Sequence, residues 1–413
     1  METAPRPALL QIAPRFCQPP TAGAEFRSLY LASRLARHMA VTHAGFLPPH
    51  ASAPAGIDKP DHRFVAVPRG GAYRMVDLVR GSLGPVPFSV LNYTRAEMTA
   101  AVGRLFQQQP FDIVVLEGVH LGGYLSQLRS VACRPAVVCD WHNIESEILE
   151  RYSKTVRGAH RRLYARLAAG KLERYERWFV NQCDMHVVVS ERDGEMLARR
   201  YGSTAPVVVV ENGVPLDYFS ASGGEPGAVR RFRVLYCGAM DYHANVEAVA
   251  WFAAKVWPAV RATAPQAVFT IVGRNPAPAV RALAGQPGIE VTGTVAEVRP
   301  YYREALVAVV PLRVGGGTRI KILEAMAAGV PVVSTRLGAE GLPAVPGEHY
   351  LLADSSAGIL AAVGDLLRNP ERAALLSSAA RELVRRRYDW PALGDQLAEH
   401  LLGLLSKQHI IRR

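Results

Sequence analysis

The stretch VAVVPLRVGGGTRIKILEAMAAGVPVVST, residues 307–335, decides the fold. A short apolar run leads into three consecutive glycines. A helical pattern with one acid, Glu324, follows, and a second apolar run begins after Gly329. Strands buried on both faces of a parallel sheet are nearly continuous apolar runs, and glycine is common just past the end of a helix. The stretch therefore predicts a strand–helix–strand unit of a parallel α/β sheet.

The same alternation runs along most of the 413 residues. Two series of strands are predicted: ALLQIAP, AVTHAGF, RFVAVP, DIVVLEG, AVVCDWH, MHVVVS and PVVVVENG, then RVLYCG, FTIVG, IEVTG, VAVVPL and PVVST. Long helices are predicted from Ala24 to Arg37 and from Glu145 to Trp178. The C-terminal stretch from Pro370 is predicted to be helical throughout.

The Gly/Ser/Pro-rich segment FSASGGEPGAVRR, residues 219–231, is predicted to be a linker. We therefore expect an N-terminal Rossmann-like domain over residues 1–218 and a second Rossmann-like domain over residues 219–378. Helices over residues 379–413 are expected to cross back to the first domain. Such paired domains usually bind a ligand in a deep cleft between them, at the carboxyl ends of their strands.

Composition and motifs argue against several classes of protein. No G-x-G-x-x-G follows the first strand, so a dinucleotide-dependent dehydrogenase is poorly supported. The P-loop of an NTPase and the G-x-S-x-G elbow are both missing from the sequence. The twelve histidines show no metal-ligand spacing, and no D-x-D motif ends a strand. The five cysteines lack C-x-x-C spacing, which favours reduced thiols and a cytoplasmic location. No apolar run is long enough to span a bilayer, and the N-terminus reads as the first strand rather than a signal peptide.

The glycine turn is a candidate anion site. Gly315, Gly316, Gly317 and Thr318 allow backbone N–H groups to approach a ligand at a helix N-terminus. Arg319 and Lys321 add positive charge, and the planar guanidinium suits phosphate oxygens. The alternative is a tight turn that carries two solvated cations.

Glu324 is a candidate for binding a ribose. It lies at the edge of an apolar helical face, where a carboxylate is costly unless a partner donates a hydrogen bond to it. The 2′,3′-diol of a ribose would supply two such donors. The alternative is a structural acid that accepts from a backbone N–H or from Arg319.

Several segments of the chain resemble those of a known family. GGGTRIKILEAMAAGVPVVST and GAEGL are similar to the donor motif of family 4 of the retaining nucleotide-sugar glycosyltransferases, which have the GT-B fold. The likeness extends to APRFCQPPTAGAEFR, VVCDWHNIESEILER, VVVENGVPLDYF, YCGAMDYHANVEAVAWFAAKVWP, FTIVGRNP and IEVTGTVAEVRPYY.

The resemblance implies a role for each matching residue. Glu324 would hold the ribose, Gly23 would approach the diphosphate or sugar, and the backbone at Val295 would meet the base. His142 would face the transferred sugar and the acceptor, although it could instead be a structural histidine tied to Asp140. Within the other matching segments, the resemblance implies donor contacts from Gly238, Asn245 and Arg274.

Two positions depart from the pattern of the family. The position of a first glutamate that contacts the donor sugar is occupied by Gly316. Segment 238–245, GAMDYHAN, lacks the Arg and Lys that clamp the diphosphate in many members. We expect Arg319 and Lys321 to supply this charge instead.

The resemblance implies a retaining glycosyltransferase that moves a hexosyl-type sugar from a nucleotide diphosphate sugar to an acceptor hydroxyl. Such an enzyme would require no cofactor or metal and would act in cell-surface polysaccharide or glycoconjugate synthesis. The acceptor would be a glycan, a lipid-linked molecule or a small molecule, and nucleic acid is not expected as a partner. Two alternatives are a GT-B nucleotide-sugar epimerase and a non-catalytic sugar-nucleotide-binding component of a polysaccharide assembly complex.

A basic segment points to one further partner. The net charge is +12, and between Arg151 and Arg177 nine Lys or Arg stand against two acids. One interpretation is a solvated helical face. The other is a peripheral contact with anionic lipid at the inner face of the membrane.

Overall fold

The structure is a computed structural model that describes residues 6–20, 23–47, 51–71, 74–156, 158–220, 232–315 and 320–411. The predicted site residues Gly316, Gly317, Thr318 and Arg319 lie outside the described residues, as does most of the predicted linker. The chain divides into two compact units, Met1–Glu211 with Trp390–Arg413, and Asn212–Asp389.

The first unit is built on a seven-stranded parallel sheet in the order β3-β2-β1-β4-β5-β6-β7. Its strands are β1 Ala8–Ala13, β2 Ala40–Leu47, β3 His62–Pro68, β4 Ile113–Glu117, β5 Ala136–Trp141, β6 Met185–Val188 and β7 Val207–Val209. Its helices are α1 Gly23–Leu35, α2 Met75–Leu83, α3 Phe88–Tyr93, α4 Ala96–Gln108, α5 Leu125–Ser130, α6 Glu145–Thr155, α7 Ala159–Phe179 and α8 Glu191–Tyr201.

The second unit contains a six-stranded parallel sheet in the order β10-β9-β8-β11-β12-β13. Its strands are β8 Arg233–Cys237, β9 Val268–Val272, β10 Ile289–Gly293, β11 Ala305–Val310, β12 Val332–Ser334 and β13 Leu351–Leu352. Its helices are α9 Leu216–Ser220, α10 His243–Lys255, α11 Trp257–Thr263, α12 Pro278–Arg281, α13 Arg299–Glu304, α14 Ile320–Ala327, α15 Ser356–Arg368 and α16 Pro370–Arg387. The last helix of the chain, α17 Trp390–Ile411, belongs to the first unit.

Both sheets confirm the predicted α/β architecture, because every predicted strand is present and every pairing between strands is parallel. In each sheet the strand order reverses beside the first strand, between β1 and β4 and between β8 and β11. Ligands of doubly wound sheets bind at the carboxyl ends of strands at such a reversal. The short strand β13 was not predicted, since two residues are too few to form a pattern.

The boundaries of the compact units differ from those expected from the sequence. The first boundary falls after Glu211 rather than at residue 218, and the chain rejoins the first unit at Trp390 rather than at residue 379. The two connections meet within the second unit, where the Val214 N–H donates to the Tyr388 carbonyl at 2.8 Å. In the first unit the Trp390 ring stacks on Tyr30 at 5.5 Å.

One predicted helix is wrong in extent. The single helix expected from Glu145 to Trp178 is two helices, α6 and α7. Gly158 precedes α7 with φ of 97°, a left-handed value that a continuing α-helix does not allow. Gly329, by contrast, ends α14 as predicted, with φ of 68°.

Candidate active site

The second unit gathers several of the predicted donor residues at the ends of β8 and β11. The Lys321 ammonium, from the first turn of α14, donates to Asn245 Oδ1 at 2.7 Å and to the Tyr236 hydroxyl at 3.2 Å. The Tyr236 hydroxyl in turn donates to Asn245 Oδ1 at 2.7 Å. Lys321 therefore lies at the segment after β8 in which the expected diphosphate-clamping cations are missing.

Two glycines make this arrangement possible. A Cβ at Gly238 would lie 2.9 Å from the Asn245 amide nitrogen and 3.4 Å from Lys321 Cε. A Cβ at Gly273, after β9, would lie 1.7 Å from the Gly238 carbonyl oxygen. The backbones after β8 and β9 can approach this closely only because residue 273 lacks a side chain, and glycine at 238 leaves room for the Asn245 and Lys321 side chains.

Glu324 is half-buried one helical turn beyond Lys321. The hydroxyl of Tyr302, itself 1% exposed, donates to Glu324 Oε2 at 3.0 Å. Burial raises the pKa of Glu324 to about 7, although the Tyr302 hydrogen bond and the Lys321 charge oppose the shift. The described partner of this acid is therefore a tyrosine hydroxyl, which the sequence analysis did not foresee. Arg319, one of the predicted partners, lies outside the described residues.

The remaining donor residues of the second unit lie on the same loops. Gly315 has φ of 107°, so the turn requires a glycine at this position. The Arg274 carbonyl accepts from the Met240 N–H at 2.9 Å, which ties the loop after β9 to the loop after β8. Val295 is half-buried after β10 and packs against the core of this unit. No described contact tests the ligand role of any of them.

In the first unit, His142 follows β5 and belongs to a buried charged cluster. Its Nε2 lies 3.6 Å from Asp140 Oδ2, an ion-pair distance rather than a hydrogen bond. Burial lowers the pKa of His142, but the Asp140 and Glu117 carboxylates outweigh that effect and the net shift is upward. The imidazole is therefore biased toward its protonated form.

Arg27 is the partner that neutralises Asp140. Its guanidinium, 1% exposed, makes a two-pronged contact at 2.9 and 2.8 Å and also donates to the Val210 and Glu211 carbonyls. Although burial favours the neutral acid, Arg27 and His142 hold the pKa of Asp140 well below its usual value. Asp140 is thus a shared carboxylate, and its contact with Arg27 is closer than its contact with His142.

Two more polar residues of this unit were missed from the sequence. Glu117 ends β4, is 2% exposed, and accepts from Gln11 and Ser28, while burial raises its pKa. His120 follows in the next turn, where burial and the charges of His142 and Arg69 lower its pKa to about 3. The available indication was that Glu117 directly follows the apolar run DIVVL and His120 comes three residues later, because polar residues at a strand's carboxyl end commonly face a ligand.

Gly23, the predicted donor contact of this unit, begins α1. In the part of the chain that the structure describes, no three His, Cys, Asp or Glu side chains converge in a way that could hold a metal ion. Within those same residues, no helix is long and apolar enough to cross a membrane.

Comparison with known families defines the class of protein. A model described as "Glycosyltransferase Family 4" matches residues 21–218, and one described as "Glycosyl transferases group 1" matches residues 231–369. Each half of the chain thus matches a glycosyltransferase family model, and its two-domain α/β fold is the GT-B fold of glycosyltransferases. This supports the expected relation to family 4, while the donor-motif subgroup stays a prediction.

Among individual proteins, the chain is similar to a GDP-mannose-dependent alpha-(1-6)-phosphatidylinositol monomannoside mannosyltransferase of Mycolicibacterium smegmatis. The two are 30% identical over 245 residues, which are 54% of this chain and 63% of the relative. The match thus spans less than two thirds of that relative, and only 42% of the corresponding Mycobacterium tuberculosis protein.

Two solved structures share the fold. Sucrose-phosphate synthase from Thermosynechococcus elongatus has a TM-score of 0.74 at 18% identity and covers 99% of this chain and 100% of its own. Anabaena HepE, in complex with UDP and glucose, has a TM-score of 0.64 at 14% identity over 95% of this chain and 98% of its own.

Proposed function

We propose that the chain transfers a glycosyl group from a nucleotide diphosphate sugar to an acceptor hydroxyl, with retention at the anomeric carbon and without a metal. The observation that carries the proposal is the cluster of Lys321, Asn245 and Tyr236 one turn away from Glu324. It combines a cation suited to a diphosphate with a carboxyl suited to a ribose, at the strand ends where ligands of such sheets bind.

The chemistry of this proposal depends on positioning and charge. As the bond to the sugar breaks, negative charge develops on the departing diphosphate, and a preorganised cation stabilises it. Lys321 is held ready for this by two hydrogen bonds. We assign the same task to Arg319. In a front-face substitution the leaving phosphate oxygen accepts the proton of the acceptor hydroxyl, so no protein nucleophile is needed.

His142 is assigned to the transferred sugar and the acceptor. Its upward-shifted pKa would let the imidazolium donate a hydrogen bond to a sugar hydroxyl. The mannosyltransferase relatives are GDP-mannose-dependent by name, so GDP-mannose stands beside UDP-glucose among the donors to be tested. A role in cell-surface glycan synthesis and a cytoplasmic location are part of the proposal.

Nucleotide binding is the first prediction to test. A thermal-shift screen of nucleotides and nucleotide sugars should identify one base that stabilises the protein strongly, because a ligand that binds only the folded state raises Tm. Glu324→Ala should weaken that nucleotide by roughly tenfold or more, since hydrogen bonds to a charged acceptor are lost. Titration calorimetry gives both dissociation constants.

Glu371→Ala is the matched control, because Glu371 is an exposed acid on α16 of the same unit. It should bind the nucleotide as the unmodified protein does. Equal affinity in Glu324→Ala would remove the ribose role. If no nucleotide stabilises the protein, the proposal as a whole is wrong.

A further inference from the structure

Helix α2 presents four large apolar side chains to solvent. Met75, Val76, Val79 and Leu83 are 74%, 49%, 53% and 85% exposed. They recur at spacings of one, three and four residues, so they lie along one side of the helix. Single exposed apolar residues are normal, but a group of them marks a surface that contacts something else.

Helix α7 presents a second apolar group. Leu163, Tyr164, Leu167 and Trp178 are 60%, 54%, 65% and 47% exposed. Lys171 and Arg174 fall between Leu167 and Trp178 at helical spacing, so cations and apolar side chains share one stripe. At 1.5 Å per residue, the stripe from Leu163 to Trp178 is about 22 Å long.

The two helices meet at the C-terminal end of α2. The Lys171 ammonium donates to the Gly81 carbonyl at 2.6 Å and to the Ser82 carbonyl at 2.7 Å, which fixes the end of α2 against α7. Leu83 and Trp178 line the same groove, which has a volume of about 630 Å³. We call the eight apolar residues together with Lys171 and Arg174 the α2–α7 surface.

The charge of this surface is positive. Arg80 on α2 and Arg166 and Arg177 on α7 are exposed beside it. The acids of the two helices are buried or paired. Asp77 is 8% exposed and faces Arg95 at 4.0 Å, and Glu176 is fully buried. Glu173 pairs with Arg200 at 2.9 Å and with Arg177 at 3.5 Å, which leaves Arg80, Arg166 and Arg174 as the cations of the surface. A second copy joined by two-fold symmetry would bring like charges together, whereas an anionic bilayer complements both the cations and the apolar side chains.

We propose that the α2–α7 surface rests on an anionic lipid bilayer, with its apolar side chains in the interface and with Arg174, Arg80 and Arg166 at the lipid phosphates. This goes beyond the basic segment seen in the sequence, because α2 lies outside that segment and supplies the most exposed apolar residue. The proposal does not depend on glycosyl transfer, and its test requires no turnover.

The test is sedimentation of the full chain with vesicles of phosphatidylcholine alone, and of phosphatidylcholine mixed with phosphatidylglycerol. Binding should require phosphatidylglycerol and should weaken as salt is raised, because salt screens exposed charges. Leu83→Glu and, separately, Leu167→Glu should lower the partition coefficient by roughly tenfold or more, since an inserted apolar side chain is lost. Arg174→Gln should lower it by about fivefold.

Leu375→Glu is the matched control, because Leu375 is 74% exposed on α16 of the second unit. This variant should bind the vesicles as the unmodified protein does. Equal binding to vesicles of either composition, or to neither, would overturn the proposal. So would a dimer that sedimentation velocity detects and Leu83→Glu dissolves in the absence of vesicle binding, because the surface would then bind a second copy.

Discussion

Glu324 has a structural cost that its proposed role in ribose binding would explain. In the sequence it is an acid inside an apolar helix. In the structure it is half-buried, and Tyr302 donates a hydrogen bond to it. Because its pKa is raised from 4.5 to about 7, the folded chain holds this proton more tightly than the unfolded chain. The free energy of unfolding therefore falls as pH rises from about 4.5 to about 7, because the carboxyl ionises more easily in the unfolded chain. Bound ribose hydroxyls would offset this cost.

The shift leads to a prediction about pH. A ribose diol donates to the ionised carboxylate, so nucleotide affinity should increase between about pH 6 and pH 8 and then level off. Binding below the pKa should release a proton, which calorimetry in buffers of different ionisation enthalpy measures directly.

Glu324→Gln is the control for this measurement. The amide cannot ionise, so any pH dependence that remains belongs to the nucleotide phosphate. If the variant releases as many protons as the unmodified protein does, Glu324 is not the group that titrates.

At the scale of elements, α14 contacts the start of α10, just after the loop that follows β8, through the hydrogen bond from Lys321 to Asn245. The sequence showed that segment 238–245 lacks both expected cations and that Lys321 stands in a distant motif. It could not show that the two meet, because the contact between Lys321 and Asn245 joins residues 76 positions apart. The glycines at 238 and 273 were likewise visible in the sequence, but their closeness depends on the pairing of β8 with β9.

Replacement of Lys321 tests this partnership. Lys321→Met should lower kcat by roughly 10²-fold, because a cation aimed at the developing charge of the leaving group is removed. Lys321→Arg should retain part of the activity, since the charge is preserved while its geometry changes.

Lys255→Met, which removes an exposed lysine from the last turn of α10, should leave kcat unchanged. Steady-state kinetics on the donor gives all of these values. Full activity in Lys321→Met would mean that another group neutralises the diphosphate.

At the scale of the whole molecule, the architecture could be predicted from the sequence far more fully than the site. Apolar runs such as VAVVPL are local signals, and they predicted two parallel sheets. The break between α6 and α7 was missed because a single glycine in a basic helical pattern does not reveal its φ value. The Arg27–Asp140–His142 cluster was only partly foreseen, because Arg27 reaches Asp140 across 113 positions of the chain.

The central proposal is retaining, metal-independent glycosyl transfer, and the stereochemistry of the product tests it most directly. The measurement is ¹H NMR of a reaction that contains the stabilising α-linked nucleotide sugar, glycerol as a surrogate acceptor, and EDTA. Retaining, metal-independent transfer predicts release of the nucleoside diphosphate together with a new α-anomeric signal from the glyceryl glycoside. A β-anomeric signal, a requirement for added metal, or conversion of the donor to an epimer with no glycoside formed would contradict the account.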